Sequence, residues 1–394
     1  MRARILVACG LSVAGLIVTG GVARANEIAV NGVTFAKDVA PILNAHCVQC
    51  HREGEVAPMS LRTYAEVRPW TKSILKRVVQ EKSMPPWHAD PQYGKYANDA
   101  RLSAEDITTL DKWIKTGAKF GNEADLPAPR QFPNGWVLGE PDYVIEFDAI
   151  DVVADGPDKF PNLKAKLNLP EDRWIRAIEV QPSAKRAVHH VFARVTDADG
   201  KIGGQIGGYV AGVGPTVFPE GTGRLVKKDQ QIVAQAHYHS FGTPVTDKTR
   251  IGLYFAKGEI KQESIALAVV NSKFKIPAGA KNYEVTAEYT FDQYALITNL
   301  GPHMHQRGTD MTITAVFPDG NKQTLVKSNW NPDWDISYQL AQPIVAPKGT
   351  RLELVAHYDN SADNPRNPDP TKDLTFGTDE MMIGFIDYLV DTKK

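Results

Sequence analysis

From Tyr143 onward apolar and polar residues alternate through one segment after another, such as Gln231-Ile232-Val233-Ala234-Gln235-Ala236-His237-Tyr238, Met311-Thr312-Ile313-Thr314-Ala315-Val316-Phe317 and Arg351-Leu352-Glu353-Leu354-Val355-Ala356-His357-Tyr358. Successive side chains of a strand point to opposite faces, so a period of two is the signature of a half-buried β-strand. Asp197-Ala198-Asp199-Gly200 and Pro318-Asp319-Gly320-Asn321 are among the turn signals that separate the segments. About 250 residues of short strands predict two all-β, jelly-roll-like sandwiches. A faint internal echo supports two similar halves, because Val233 to Tyr238 and Leu354 to Tyr358 both end in a His-Tyr pair. The division is expected near Lys275 to Lys281, giving β-domains over 143–277 and 278–394.

The stretch from Asn31 to Phe120 reads differently. Asp38-Val39-Ala40-Pro41-Ile42-Leu43 leads into a cysteine pair, and Ser103-Ala104-Glu105-Asp106 resembles a capping box. That box predicts a helix with Ile107, Leu110 and Ile114 on one face and Gly117 as its stop. A small all-α domain over 26–125 follows, making the chain multidomain. The proline-rich stretch Asn122 to Pro141 has little periodicity and reads as a linker, placed at 126–142.

At the N-terminus Arg2 and Arg4 precede an apolar run from Ile5 to Val18, and Ala23-Arg24-Ala25 closes it with small residues. This is the pattern of an export signal over 1–25, with cleavage after Ala25 and a periplasmic or secreted destination. The run is shorter than the roughly 20 apolar residues that span a bilayer, and no later stretch is apolar enough to do so. A net charge of −1 without a basic block argues against nucleic acid or an anionic membrane surface as partner. The expected partners are small molecules and redox proteins. Of the three cysteines, Cys9 lies in the signal, so beyond Cys47 and Cys50 the mature chain has no thiol to cross-link.

Those two cysteines stand in Cys47-Val48-Gln49-Cys50-His51. Two thiols at this spacing can add to both vinyl groups of a haem while the adjacent imidazole meets the iron, so the motif predicts one covalent c-type haem with His51 as proximal ligand. A zinc site would need a second cysteine pair, and a thiol-redox site a βαβ setting; neither is present in the sequence. Ser83-Met84-Pro85-Pro86-Trp87 offers Met84 as sixth ligand in a stiff segment. Met59, only eight residues after His51, reads as core, and His46 and His88 as structural.

Seven of the ten histidines fall in the β-region, as His189-His190, His237-Tyr238-His239, His303-Met304-His305 and an isolated His357. In a strand, residues two apart share a face, so His303 and His305 can reach one metal ion together. His189 and His190 would face opposite sides unless a strand end or bulge intervenes. Paired imidazoles suit copper, zinc or iron, and a methionine ligand would tip the choice to copper. Met381 and Met382 are both candidates.

These residues resemble the copper type II, ascorbate-dependent monooxygenases, a family that includes peptidylglycine α-hydroxylating monooxygenase and dopamine β-monooxygenase, over roughly Val137 to Val390. The resemblance implies two coppers, one held by His189, His190 and His237, the other by His303, His305 and Met381. Met381 is chosen over Met382 because Asp379-Glu380-Met381 is similar to the family's acidic-Met-Cys segment. With the Met84-Pro85-Pro86-Trp87 haem region in front, the chain looks like the bacterial cytochrome c and copper monooxygenase-like proteins. The resemblance further implies O2 activation at the methionine-bearing copper, hydroxylation of a substrate C–H bond, and electron storage at the other copper. Electrons would come through the haem from a small reductant or redox protein. The alternative is a non-enzymatic electron-transfer or copper-binding cytochrome. The family's animal members are disulfide-rich, whereas this β-region has no cysteine, and His357 stands where the family tends to have one. Gly301, Ile383 and Phe385 occupy places that anchor a peptide carboxylate in the amidating enzymes, so a glycine-extended peptide is not the expected substrate.

Overall fold

The computed structural model describes residues 32–392 apart from 198, 199 and 201, so the expected export signal, with Cys9, lies outside the described residues. Three helical runs come first. The run 35–46 starts at Thr34, whose hydroxyl accepts from the Lys37 amide while the Thr34 amide donates to Asp38. The run 64–80 opens on a capping box between Thr63 and Glu66. The helix Ala104–Lys115 has the expected box between Ser103 and Asp106, and just beyond its end Gly117 takes φ +96°. Its buried face is rotated from the one predicted: Leu110 and Trp113 are enclosed while Ile107 is half exposed. The indole is the larger apolar surface and takes the core position, its Nε1 donating to the Lys119 carbonyl.

The rest is a jelly-roll-like β-sandwich protein, and the described chain from Val33 onward forms one compact unit. A nine-stranded sheet is its spine. One half of its path runs Tyr143–Glu146, Arg250–Phe255, Arg173–Gln181, Thr222–Val226; the other runs Gln262–Val270, Ile383–Asp391, Ala295–His303, Tyr338–Ala346. The halves join where Thr222 and Gly223 pair in parallel with Gln262 and Glu263. A four-stranded sheet, Asn162–Lys166, Gln231–Tyr238, Val188–Thr196, Ile202–Val210, shares one hydrophobic cluster with the first half. A second, Tyr283–Thr290, Arg351–Tyr358, Gly308–Val316, Lys322–Asn329, shares another with the second half. Both Gln231–Tyr238 and Arg351–Tyr358 alternate half-exposed and buried residues throughout, as their sequences predict. The strand Gln262–Val270, which precedes the expected division near Lys275 to Lys281, pairs along its whole length with the C-terminal Ile383–Asp391.

Two segments outside the main helices and strands, one expected within the small all-α domain and the other the linker, are docked on them. Residues 87–101 leave the helical region and run along Lys322–Asn329 and Tyr338–Ala346, each the last strand of its sheet. Ala89 bridges Ser328, Tyr96 bridges Leu340, and Trp87 packs its ring 5.1 Å from that of Tyr338. Edge strands carry unpaired backbone groups, and this arm covers them. In the linker, Arg130 donates to the carbonyls of Asn44 and Ala45 at the end of the first helical run, and the Val137 and Leu138 amides donate to Glu179. Among the described residues no helix is long and apolar enough to cross a membrane.

Candidate metal centres

The strand Val188–Thr196 changes register against Gln231–Tyr238 between Val188 and His190, so that Val188 opposes Tyr238 and His190 opposes His237. His189 is the extra residue of this bulge, the device an adjacent pair needs to turn both rings to one side. Each of His189, His190 and His237 offers a ligand nitrogen, and these nitrogens lie within 4.8 Å of one another. Outer hydrogen bonds select which nitrogen is free. His189 Nε2 lies 2.7 Å from the Asp333 carbonyl, which can only accept, so the lone pair is on Nδ1, 3.1 Å from Nδ1 of His190. His237 Nε2 donates to the Asp158 carboxylate at 2.7 Å, leaving its Nδ1 as the acceptor. An imidazole must be neutral to bind metal, and burial drives His190 down to about 3 despite the opposing pull of Asp335. Burial also lowers His237 and the adjoining His239.

The second cluster lies at the end of Ala295–His303. Alternation sends Met304 into the core at 1% exposure, while the His303 and His305 rings sit 5.6 Å apart. His303 Nδ1 pairs with Asp335 at 3.0 Å, both largely buried. Burial disfavours the charged imidazole, but the Asp335 carboxylate outweighs it and holds His303 above its ordinary value. Burial and the neighbouring His303 push His305 down to about 4.

Glu380 ties this cluster to the Asp379-Glu380-Met381 segment. Its carboxylate is fully enclosed and accepts from the amides of His305, Arg307 (3.0 Å) and Met381 (2.9 Å). Burial lifts its own value to about 7. Arg307 adds a bond to the Asp379 carbonyl, and Tyr358 donates to the Met381 carbonyl. Met382 is fully enclosed in the hydrophobic cluster, whereas Met381 is half-buried and not among that cluster's residues. His357 is elsewhere, bonded to Asp310 at 2.9 Å.

The two clusters face each other across the halves. His190 stacks on Phe192 (4.4 Å), Phe192 meets Phe385 (6.4 Å), and Phe385 meets His303 (5.9 Å). The residues that support the imidazoles, Asp158, Asp333, Asp335 and Glu380, carry no motif of their own. Glu380 alone had a signal, its place directly before Met381.

In the helical region Cys47 and Cys50 are free thiols, and burial pushes Cys47 up to about 12 and Cys50 up to about 11. Cys47 caps the C-terminal end of a helix, where the dipole opposes a thiolate, so the pair lacks the heightened acidity of a thiol-redox site. His51 Nδ1 donates to the Met59 carbonyl at 3.3 Å, leaving Nε2 as the ligating atom, and Cys47, Met59 and Met84 pack against one hydrophobic cluster. These placements suit a covalent haem ligated by His51.

Gly212, at φ +80°, lies against this motif: a Cβ there would meet Cys50 Sγ at 2.8 Å. Two residues earlier, Val210 pairs with His190. Gly212→Val is expected to destabilise the protein by about 1–3 kcal/mol, through backbone strain and the clash. Gly214→Val, where nothing lies within 4 Å, should be near neutral. Thermal unfolding of the two variants checks this, and equal midpoints would refute the contact.

No protein-family model matches the chain, and no curated protein matches it. Among solved structures it is similar to the major capsid protein P2 from bacteriophage PM2 at 12% identity, covering 64% of this chain and 98% of that one with a TM-score of 0.30. It is also similar to the N-terminal CBM22-1-CBM22-2 tandem domain of Xyn10C from Paenibacillus barcinonensis, at 10% identity, 64% and 98% coverage and a TM-score of 0.15.

Proposed function

We propose that the protein is an exported copper-dependent monooxygenase that hydroxylates a C–H bond of a small substrate with O2 and draws electrons through a c-type haem. In this reading 26–125 is a cytochrome c domain, and the two halves of the β-region are the copper-binding sandwiches. One observation carries it: a bulge-made three-histidine cluster and a His-x-His pair tied through Glu380 to Met381 face each other across the two halves. A thioether added to two imidazoles favours Cu(I), and the resemblance implies that this copper meets O2 while the all-histidine one stores an electron.

Copper at the two clusters would supply oxygen activation and electron storage, and the haem a one-electron inlet. The chain's own contribution is orientation and exclusion of water. Asp158 and the Asp333 carbonyl fix the free nitrogens of His237 and His189, and Asp335 fixes that of His303, leaving its Nε2 for metal. Trp330 and Phe385 wall His303, their rings 5.8 and 5.9 Å from it, which keeps bulk water from that side. His51, with Met84 as sixth ligand, would hold the haem iron. The thioether at Cys50 would lie beside Gly212, one short stretch of backbone from His190.

Oxygen uptake coupled to a hydroxylated product is the test. Met381→Ala and His303→Ala should each abolish product formation with the haem spectrum intact. Unchanged hydroxylation in both variants, or no oxygen uptake by the copper-loaded wild type with any reductant and a broad panel of small substrates, would favour the electron-transfer alternative.

A further inference from the structure

The segment 330–335 joins a strand of one sheet to a strand of another within the C-terminal half, yet its contacts belong to both histidine clusters. Trp330 Nε1 donates to the His305 carbonyl at 2.8 Å, the Asp333 carbonyl accepts from His189 at 2.7 Å, and the Asp335 carboxylate holds His303 at 3.0 Å. Asp333 and Asp335 are two residues apart, so their Cα atoms are within roughly 7 Å. One short segment therefore bonds an imidazole of each cluster at the same time, through the Asp333 carbonyl and the Asp335 carboxylate.

That piece is itself pinned. Arg366, from the loop 360–370, grips the Asp333 carboxylate with both terminal guanidinium nitrogens at 2.9 and 2.7 Å. Asn331 Oδ1 accepts from the Asp333 amide at 3.0 Å. Neither Arg366 nor the Asp333 side chain is hydrogen-bonded to a histidine, so apart from the Asp333 charge that His189 feels, this ion pair acts on the clusters through the backbone it holds.

We infer that 330–335 is a clasp coupling the two metal centres, so that metal seated in the three-histidine cluster tightens metal binding at His303, His305 and Met381. A metal on His189 Nδ1 draws electron density from the ring and strengthens its Nε2–H bond to the Asp333 carbonyl. The strengthened bond holds the clasp in the position from which Asp335 orients His303. Coupling between binding sites is reciprocal, and its usual range is about 5- to 150-fold. The inference rests on the metal-site reading above, but not on hydroxylation.

The test is a Cu(I) competition titration of the full-length haem protein against a chromophoric chelator. In the Arg366 background, removing the first cluster by His237→Ala should weaken Cu(I) binding at the second by at least 5-fold. In Arg366→Ala the same His237→Ala change should leave the second site's affinity within about 2-fold. Asp333→Ala, which keeps the backbone carbonyl, should behave like Arg366→Ala and guards against a fold defect peculiar to one variant. Unfolding midpoints should stay close to wild type, which separates coupling from stability. Coupling absent from the wild-type clasp, or undiminished in both Arg366→Ala and Asp333→Ala, overturns the inference. So does coupling abolished by Phe385→Leu alone, which would route it through the aromatic contacts. Failure to bind copper at either cluster would sink the metal reading itself, whereas coupled copper binding without hydroxylation would leave the clasp standing and remove only the monooxygenase.

Discussion

Glu380→Ala is expected to lower stability by about 3–5 kcal/mol and to strip metal from the His303 cluster while sparing the three-histidine cluster. The carboxylate is fully enclosed, and it is the acceptor for the amides of His305, Arg307 and Met381. Each buried donor left without a partner costs about 1–3 kcal/mol, and the three share one acceptor, so a single truncation exposes all of them. Alanine also leaves a void where the side chain was. Glu380→Gln keeps the shape but only one accepting oxygen, which can retain two of the three bonds, so its loss should be about 1–3 kcal/mol. Denaturant unfolding gives the energies, and copper content per cluster gives the site effect. A Glu380→Ala protein with a wild-type midpoint and two coppers would show that other contacts hold the turn.

His237→Ala should remove one of the two coppers, leaving a single metal per chain at His303, His305 and Met381. The three-histidine cluster has no fourth protein donor among its described His, Cys, Asp and Glu neighbours, so two imidazoles alone remain. Asp158→Asn probes the same centre from outside. It substitutes a weaker acceptor behind His237 Nε2 and should reduce metal affinity toward the low end of the 10- to 100-fold range for outer partners, because Asp158 is half exposed to water. Cu(II) electron paramagnetic resonance, with metal content by mass spectrometry, distinguishes a lost centre from a weakened one. Two full coppers in His237→Ala would mean that the three rings are not a metal site.

The histidine positions and the alternation of the strands could be read residue by residue, because both depend on neighbours one or two places apart along the chain. The bulge at His189 could be named in advance as a requirement, since an adjacent pair cannot otherwise share a face, and the register shift beside His190 meets it. Choosing Met381 over Met382 needed a resemblance; in the folded chain the two differ in burial, Met382 alone being enclosed in the core. The arm 87–101 gave no warning, because Trp87 and Tyr96 look like any aromatic pair near a haem motif until the open edges of two sheets are there to be covered.

What the sequence alone determined is therefore local: strand and helix periods, the capping box at Ser103, the Cys47 to His51 motif and the inventory of imidazoles. Tertiary structure decided how these meet. It fused the two halves through the pairing of Thr222 and Gly223 with Gln262 and Glu263, and it placed Asp158, Asp333 and Asp335 behind three histidines 32 to 144 residues away in sequence. Periodicity reports which face of an element is buried, but a hydrogen bond between distant segments depends on how whole sheets stack, and no short window of sequence carries that information.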